Sequence, residues 1–204
     1  MQLGQMLNNP YSANIITAAF TPQTLEKGQL DVEHMVIYDT IHLDAGDTVN
    51  ENTSSFFTDV GPQSGKDLAQ TNLELSQQLP TPEAFSIQAI GLRWFENIGL
   101  TDLENLLINS AFEFLMGGKR YAIGPLTYYV PGGGIYNSDT DLYGNGLPGR
   151  IQGHRLAIPI VLDTTSQFKG RLVGTAFDLL SQGCGGTGLR LQCLLDGYWA
   201  RGVR

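Results

Sequence analysis

The stretch Phe85-Ser-Ile-Gln-Ala-Ile-Gly-Leu-Arg-Trp-Phe95 decides how the chain is read. Phe85, Ile87 and Ala89 fall on one face by period-2 alternation, and Ile90, Leu92 and Trp94 then take the opposite parity. A strand that changes phase midway needs one extra residue, so a β-bulge is predicted at Ala89–Gly91. Downstream, Thr101-Asp-Leu-Glu104 has the spacing of a capping box, in which Thr101 and Glu104 would satisfy free backbone N–H groups. Leu103, Leu106 and Leu107 follow at i, i+3 and i+4, which predicts a short helix over Thr101–Asn109 with one apolar edge. Ser110–Met116 returns to alternation, with Phe112, Phe114 and Met116 on one face. A small helix between two aromatic-rich strands is an all-β pattern with an insertion, not a βαβ repeat.

Working outward, Met35, Ile37, Ile41 and Leu43 share a strand face that Asp39 interrupts, and Asp44-Ala-Gly-Asp47 is a turn. Ser54–Val60 reads as a second strand. The polar connection Gly61–Pro82 is long enough to carry structure or function of its own. Tyr121–Val130 reads as a strand broken at Gly124-Pro125, and Pro131–Arg150 as a long glycine-rich loop. Leu156, Ile158, Ile160 and Leu162 alternate, with Pro159 marking an edge or a bulge. Phe168–Phe177 is a glycine-interrupted strand. Leu189, Leu191, Cys193 and Leu195 form an inward face, with Arg190 and Gln192 outward. Eight or nine strands and one helix predict a single β-sandwich of about eight antiparallel strands, of the kind a jelly roll uses. Residues 26–204 form that domain, and residues 1–25 form an arm.

The arm has no charged side chain; the first is Glu26. It is either an extended segment docking on a neighbour through Leu3, Met6, Leu7, Tyr11, Ile15 and Ile16, or a terminal strand of its own domain. A chain of 204 residues with 42% hydrophobic content has enough apolar material for one core. The formal net charge of −8 argues against direct binding to nucleic acid or to an anionic membrane surface. Charged residues make up 16% of the chain, against roughly 25% on average, so either neighbours cover much of the surface or it is thinly solvated. No apolar run approaches 18 residues, and the first residues lack the basic and apolar segments of a signal peptide. Cys193 reads as a buried thiol, with a bridge to Cys184 in Gly183-Cys-Gly-Gly186 as the alternative.

Catalytic and cofactor chemistry finds no constellation in the sequence. His34 and His42 share strand parity but lie eight residues apart, roughly 26 Å at strand rise, too far to share a metal unless the strand bends. With His154 they show no zinc spacing. Gly132-Gly-Gly134 lacks the Lys and Ser/Thr of a phosphate loop, and no Gly-x-Ser-x-Gly elbow occurs. Asp139 and Asp141 in the glycine loop read either as a solvated turn or as a calcium or glycosidase pair. Tyr128, Tyr129, Tyr136 and Tyr143 gather around that loop, forming either a sugar-binding surface or a subunit contact. No catalytic, metal or cofactor residue is assigned. The subunit-contact set is Tyr129, Tyr136 and Tyr143 together with the six apolar arm residues.

The order Phe56-Phe57, Gly61-Pro-Gln-Ser-Gly-Lys66, Asn72-Leu-Glu-Leu75, Gln78-Leu-Pro80, Phe85-x-Ile87-x-x-Ile90, Phe112-Glu-Phe114, Gly124-Pro-Leu126 and Pro131-Gly-Gly-Gly134 resembles the structural proteins of tailless icosahedral bacteriophages, whose major capsid proteins are jelly rolls. The resemblance covers about Ser55–Gly134. It implies a self-assembling capsid subunit without catalysis or cofactor, assembled in a host cytoplasm and resident in the virion. The expected partners are copies of the same chain, other capsid proteins and an underlying membrane. Many such proteins carry a basic N-terminal arm that meets the genome; residues 1–25 here hold no Lys or Arg, so strong nucleic-acid binding is not expected. The alternative is a β-sandwich module that binds carbohydrate or a receptor on a virion or cell surface.

Overall fold

A computed structural model describes residues 30–61, 63–94, 98–130, 134–139, 142–145, 154–180 and 188–202. Two four-stranded antiparallel sheets pack on a common core. The first contains β1 (Leu30–Leu43), β4 (Glu83–Trp94), β10 (His154–Leu162) and β13 (Leu189–Gly202), in the order β1-β13-β4-β10. The second contains β3 (Ser55–Phe56), β6 (Ser110–Met116), β7 (Lys119–Pro125) and β11 (Phe168–Gly174), in the order β3-β11-β6-β7. Counted along the chain, these eight strands pair first with eighth, second with seventh, third with sixth and fourth with fifth. That is the pattern of one long hairpin rolled on itself. β1 and β13 run in unbroken register from Leu30↔Gly202 to Leu43↔Leu189.

Outside the two sheets lie a short β2/β12 pair (Thr48–Val49 with Phe177–Asp178) and a three-stranded sheet of β5 (Ile98–Gly99), β9 (Leu142–Asn145) and β8 (Ile135–Asp139). The β8/β9 hairpin occupies part of the stretch expected as a continuous loop at Pro131–Arg150. The expected strand Ser54–Val60 is paired only over Ser55–Phe56. Phe57 takes φ 66, which ends the ladder. Its N–H donates instead to Asp39, and its carbonyl accepts from Gln77 N–H at 2.8 Å.

The phase change in β4 is present. Register to β13 runs Ala89↔Asp196 and then Ile87↔Gly197, so the extra residue is Gln88, just N-terminal to the predicted position. The bulge keeps Phe85 and Ile87 on the core side before it and returns Ile90, Leu92 and Trp94 to that side after it. Gly197 sits opposite the bulge; a Cβ there would meet the Ser86 carbonyl at 2.0 Å. β13 keeps strict alternation, and Leu189, Leu191, Cys193 and Leu195 are all buried as expected. Gln192 is not solvated, as its outward parity suggested. It is buried, and its Nε2 donates to Thr40 Oγ1 at 3.2 Å.

β10 departs from its expected alternation. Between Arg155 and Ile160 its register to β4 slips, and Ile158 ends 75% exposed while Ile160 and Leu162 stay buried. Pro159 lies inside the slipped stretch, where it has no ladder bond to lose. The second sheet contributes a phenylalanine layer of Phe56, Phe112, Phe114 and Phe168, with Phe57 against Phe168 at 5.5 Å. Gly170 lets Phe112 lie on β11, since a Cβ there would meet the ring at 2.9 Å.

Helix α1 (Leu100–Asn109) buries Leu103 and Leu106, and Leu107 packs partly against the core. The expected capping box does not form. The N-cap is Gly99, with no side-chain cap bond, and Thr101 is an exposed residue of the first turn. β5 runs straight into the helix and fixes where it begins. Asp102 anchors this end by accepting the Leu180 N–H at 2.9 Å.

Candidate functional site

Two sides of the sandwich carry the chemistry, and they are opposite edges. On the first, β1 and β3 adjoin. Asp39 projects from the core face of β1 between Ile37 and Ile41 and is fully buried. An unpaired carboxylate there would be very costly. Lys66, from the connection after β3, places Nζ 2.8 Å from Oδ1, and the Phe57 N–H donates to Oδ2 at 2.7 Å. Burial pushes the Asp39 carboxyl above its usual range, and Lys66 and the Phe57 N–H only partly offset that. Burial, with Asp39 alongside, also raises the Cys193 thiol well above its usual value. Cys193 is a free, buried thiol; Cys184 lies outside the described residues.

The connection after β3 is structured, as its length suggested. Asn72 Oδ1 accepts the Tyr38 N–H at 3.0 Å, Asn72 Nδ2 donates to the Val36 carbonyl at 2.8 Å, and Thr71 Oγ1 donates to the Tyr38 carbonyl at 3.1 Å. One asparagine side chain thereby seals the outer edge of β1 as a paired strand would. Where this connection meets β1 and β3 there is a polar cleft of about 460 Å³. Hydroxyl and amide side chains dominate its lining, including Thr40, Asn52, Ser55, Thr58 and Gln70, with Lys66, Arg190 and Asp59 as charged members. Asp39 was read from sequence as an interruption of a hydrophobic face. Lys66 was not singled out, and nothing local distinguishes it from a solvated loop lysine.

On the second side, β7 and β10 are the edge strands of the two sheets. The turn Leu126–Tyr128 crosses between them. The Tyr128 ring stacks on His154 with centroids 3.8 Å apart and 30° between planes, and Gly124 of β7 abuts both Tyr128 and Tyr129. The Tyr129 carbonyl accepts the Leu92 N–H at 2.9 Å, extending the β4 ladder beyond the start of β10. Tyr129 was placed among the subunit-contact residues, but its side chain is 2% exposed and packs on Phe112 at 5.0 Å inside the protomer. Burial pushes its phenol up to about 12. Tyr128, 52% exposed, is the tyrosine presented at this surface. Tyr143 is half-buried, and its carbonyl accepts from Trp94 Nε1 at 3.3 Å. The Tyr136 side chain, Asp141, and the arm residues Leu3, Met6, Leu7, Tyr11, Ile15 and Ile16 lie outside the described residues.

On the outer face of the second sheet, Glu113 is 1% exposed and bridges two arginines: Arg171 at 2.7 Å and Arg120 in direct contact. Burial alone would raise its carboxyl, but the two guanidiniums outweigh this and hold it below its usual range. His34 pairs with Asp196 at 2.7 Å and His42 with Asp44 at 2.9 Å. Among the described residues, no group of three or more His, Cys, Asp or Glu side chains is placed to hold a metal ion. No described helix is long and apolar enough to cross a membrane. Among the described residues ten large apolar side chains are exposed, including Leu68, Ile108, Ile123 and Ile158.

No protein-family model, no curated protein and no solved structure matches the chain.

Proposed function

We propose that the chain is a structural, non-catalytic subunit of a self-assembling shell, built as a single jelly roll and resident in a virion. The observation that carries this is the nested pairing of its eight main strands, first with eighth through fourth with fifth, which is how two Greek keys wrap into a jelly roll. The surface supports it as well. Ten exposed large apolar side chains among the described residues, on a chain with 16% charged residues, suit a molecule whose faces are covered by neighbours. The partners are copies of the same chain, with other capsid proteins and an underlying membrane as further neighbours. A net charge of −8 leaves no general attraction for phosphate backbones, so nucleic-acid affinity is weak even at low salt.

Electron microscopy of the purified full-length protein tests the reading. Closed shells, rings or sheets are expected; a monodisperse monomer at all concentrations would overturn it. Deleting residues 1–25 is expected to leave a folded β domain that no longer assembles. If the truncated protein unfolds, the arm is an integral strand; if it assembles unchanged, the arm has no role in association.

The polar cleft beside Lys66 favours a second reading, a module that binds carbohydrate or a receptor. Glycan binding by a monomer, lost in a Thr58→Trp variant that fills the cleft, would support this reading over the first.

A further inference from the structure

We propose that copies of this chain associate head to tail, the β7/β10 side of one against the segment between β1 and β4 of the next. The inference rests on the reading of the protein as a self-assembling subunit and assigns the surfaces that meet. Its basis is a charge asymmetry across the sandwich. Strands β7 and β10 read Lys-Arg-Tyr-Ala-Ile-Gly-Pro and His-Arg-Leu-Ala-Ile-Pro-Ile-Val-Leu, with no acidic residue in either. Lys119, Arg120 and Arg155 are all exposed there. Arg120 keeps 56% of its side chain exposed although it pairs with Glu113. The opposite side exposes Asp44, Asp47, Glu51, Asp59, Asp67 and Glu74 within one stretch of chain. The single lysine in that stretch, Lys66, is 14% exposed and paired with Asp39; Glu51 pairs with Arg171 at 3.3 Å and Asp44 with His42 at 2.9 Å, so the acidic character of this side rests on Asp47, Asp59, Asp67 and Glu74.

Apolar groups accompany both charge sets, as a packed contact needs. Tyr121, Ile123, Tyr128 and Ile158 are exposed on the cationic side, and Leu68 and Leu75 on the acidic side. The backbone edges differ too. Thr71 and Asn72 seal the β1 edge, whereas among the described residues β6 is the one backbone partner of β7. Two unlike, complementary patches on opposite sides of one molecule make a heterologous contact, which propagates from copy to copy and closes into a ring where the rotation permits. A twofold contact between like sides would instead bring cations against cations.

Sedimentation velocity on the full-length chain tests this with two charge-reversed variants, Lys119→Glu/Arg155→Glu and Asp59→Lys/Glu74→Lys. Each side chain changed is exposed, and among the described residues none makes a side-chain hydrogen bond or ion pair in the fold. Each variant alone is expected to associate at least about tenfold more weakly than wild type, and an equimolar mixture to regain association, because the reversed edge of one then faces the reversed segment of the other. Should either variant lose its far-UV β spectrum, the neutral pair Lys119→Gln/Arg155→Gln replaces it, with weaker association and a smaller salt dependence expected. The inference is overturned if the Asp59→Lys/Glu74→Lys variant associates like wild type, or if mixing two folded variants restores nothing. Both results leave the shell reading intact when wild type still assembles. A wild type that is monomeric throughout removes both.

Discussion

Asp39 is tolerated in the core because Lys66 and the Phe57 N–H meet both of its oxygens. Removing one partner of a buried ion pair leaves an uncompensated charge, whereas replacing both by apolar groups can be neutral. Lys66→Met is therefore expected to cost about 3–5 kcal/mol. The double variant Asp39→Leu/Lys66→Met is expected to recover most of that loss, as denaturant midpoints would show. Additive losses would mean that the pair is not coupled. Glu113 contributes to the acid limb of stability. Its folded pKa lies below the usual value of 4.5, so its contribution is present above that value and is lost as pH falls through the lower, folded pKa. The Tm gap between wild type and Glu113→Gln is expected to be widest near neutral pH and to narrow below about pH 4.5. Asp39 has the opposite sign. Its folded pKa is raised above 3.8, so its contribution is full below that value and declines as pH rises through the folded pKa. A gap for Glu113→Gln that is constant with pH would place its arginine contacts among the energetically silent ones.

Among the elements, β4 and α1 mark where local pattern suffices and where it does not. The parity change within Phe85–Trp94 was legible because the core enforces it: Ile87 and Ile90 are both fully buried, and only an inserted residue allows that. That Gln88 is the inserted residue was not legible, because Gly197 on β13 provides the close approach to Ser86. Gly197→Ala is expected to destabilise by at least ~1–3 kcal/mol through overpacking at the bulge, read by thermal unfolding. In α1 the apolar spacing located the buried edge correctly, but the capping spacing misled. Thr101→Ala is expected to change stability by no more than about 0.5 kcal/mol. Asp102→Ala should cost about 1–3 kcal/mol by orphaning the Leu180 N–H, and Leu106→Ala about 2–5 kcal/mol. A large effect of Thr101→Ala would restore the local cap. The slip in β10 was foreshadowed by Pro159 alone, and the alternation of Leu156 and Ile158 gave no sign of it.

At the scale of the whole molecule, the all-β class and most of the long strands were readable from periodicity, because a strand with one buried face alternates regardless of its partner; the short strands of the β2/β12 pair and the β5-β9-β8 sheet were not. The order of strands within the sheets was not, since partners such as Leu43 and Leu189 are joined only by the finished fold. The Asp39–Lys66 contact and the Tyr128–His154 stack were hidden for the same reason: each joins residues far apart in sequence. The β1/β13 ladder also governs how the fold is reached during synthesis. A chain still on the ribosome with residue 188 as its newest holds β1 and β4 without the strand that lies between them. Neither sheet edge can be satisfied until β13 emerges, so loop-closure entropy for a separation of well over a hundred residues is overcome in one late step. Stalled nascent chains ending before Leu189 should stay protease-sensitive, and those extended past Gly202 should become resistant. Slow folding of this kind leaves β1 and β4 open to foreign strands while they wait. The yield of folded protein is therefore expected to depend on how quickly β13 pairs once it has emerged, as well as on the strength of the core it completes.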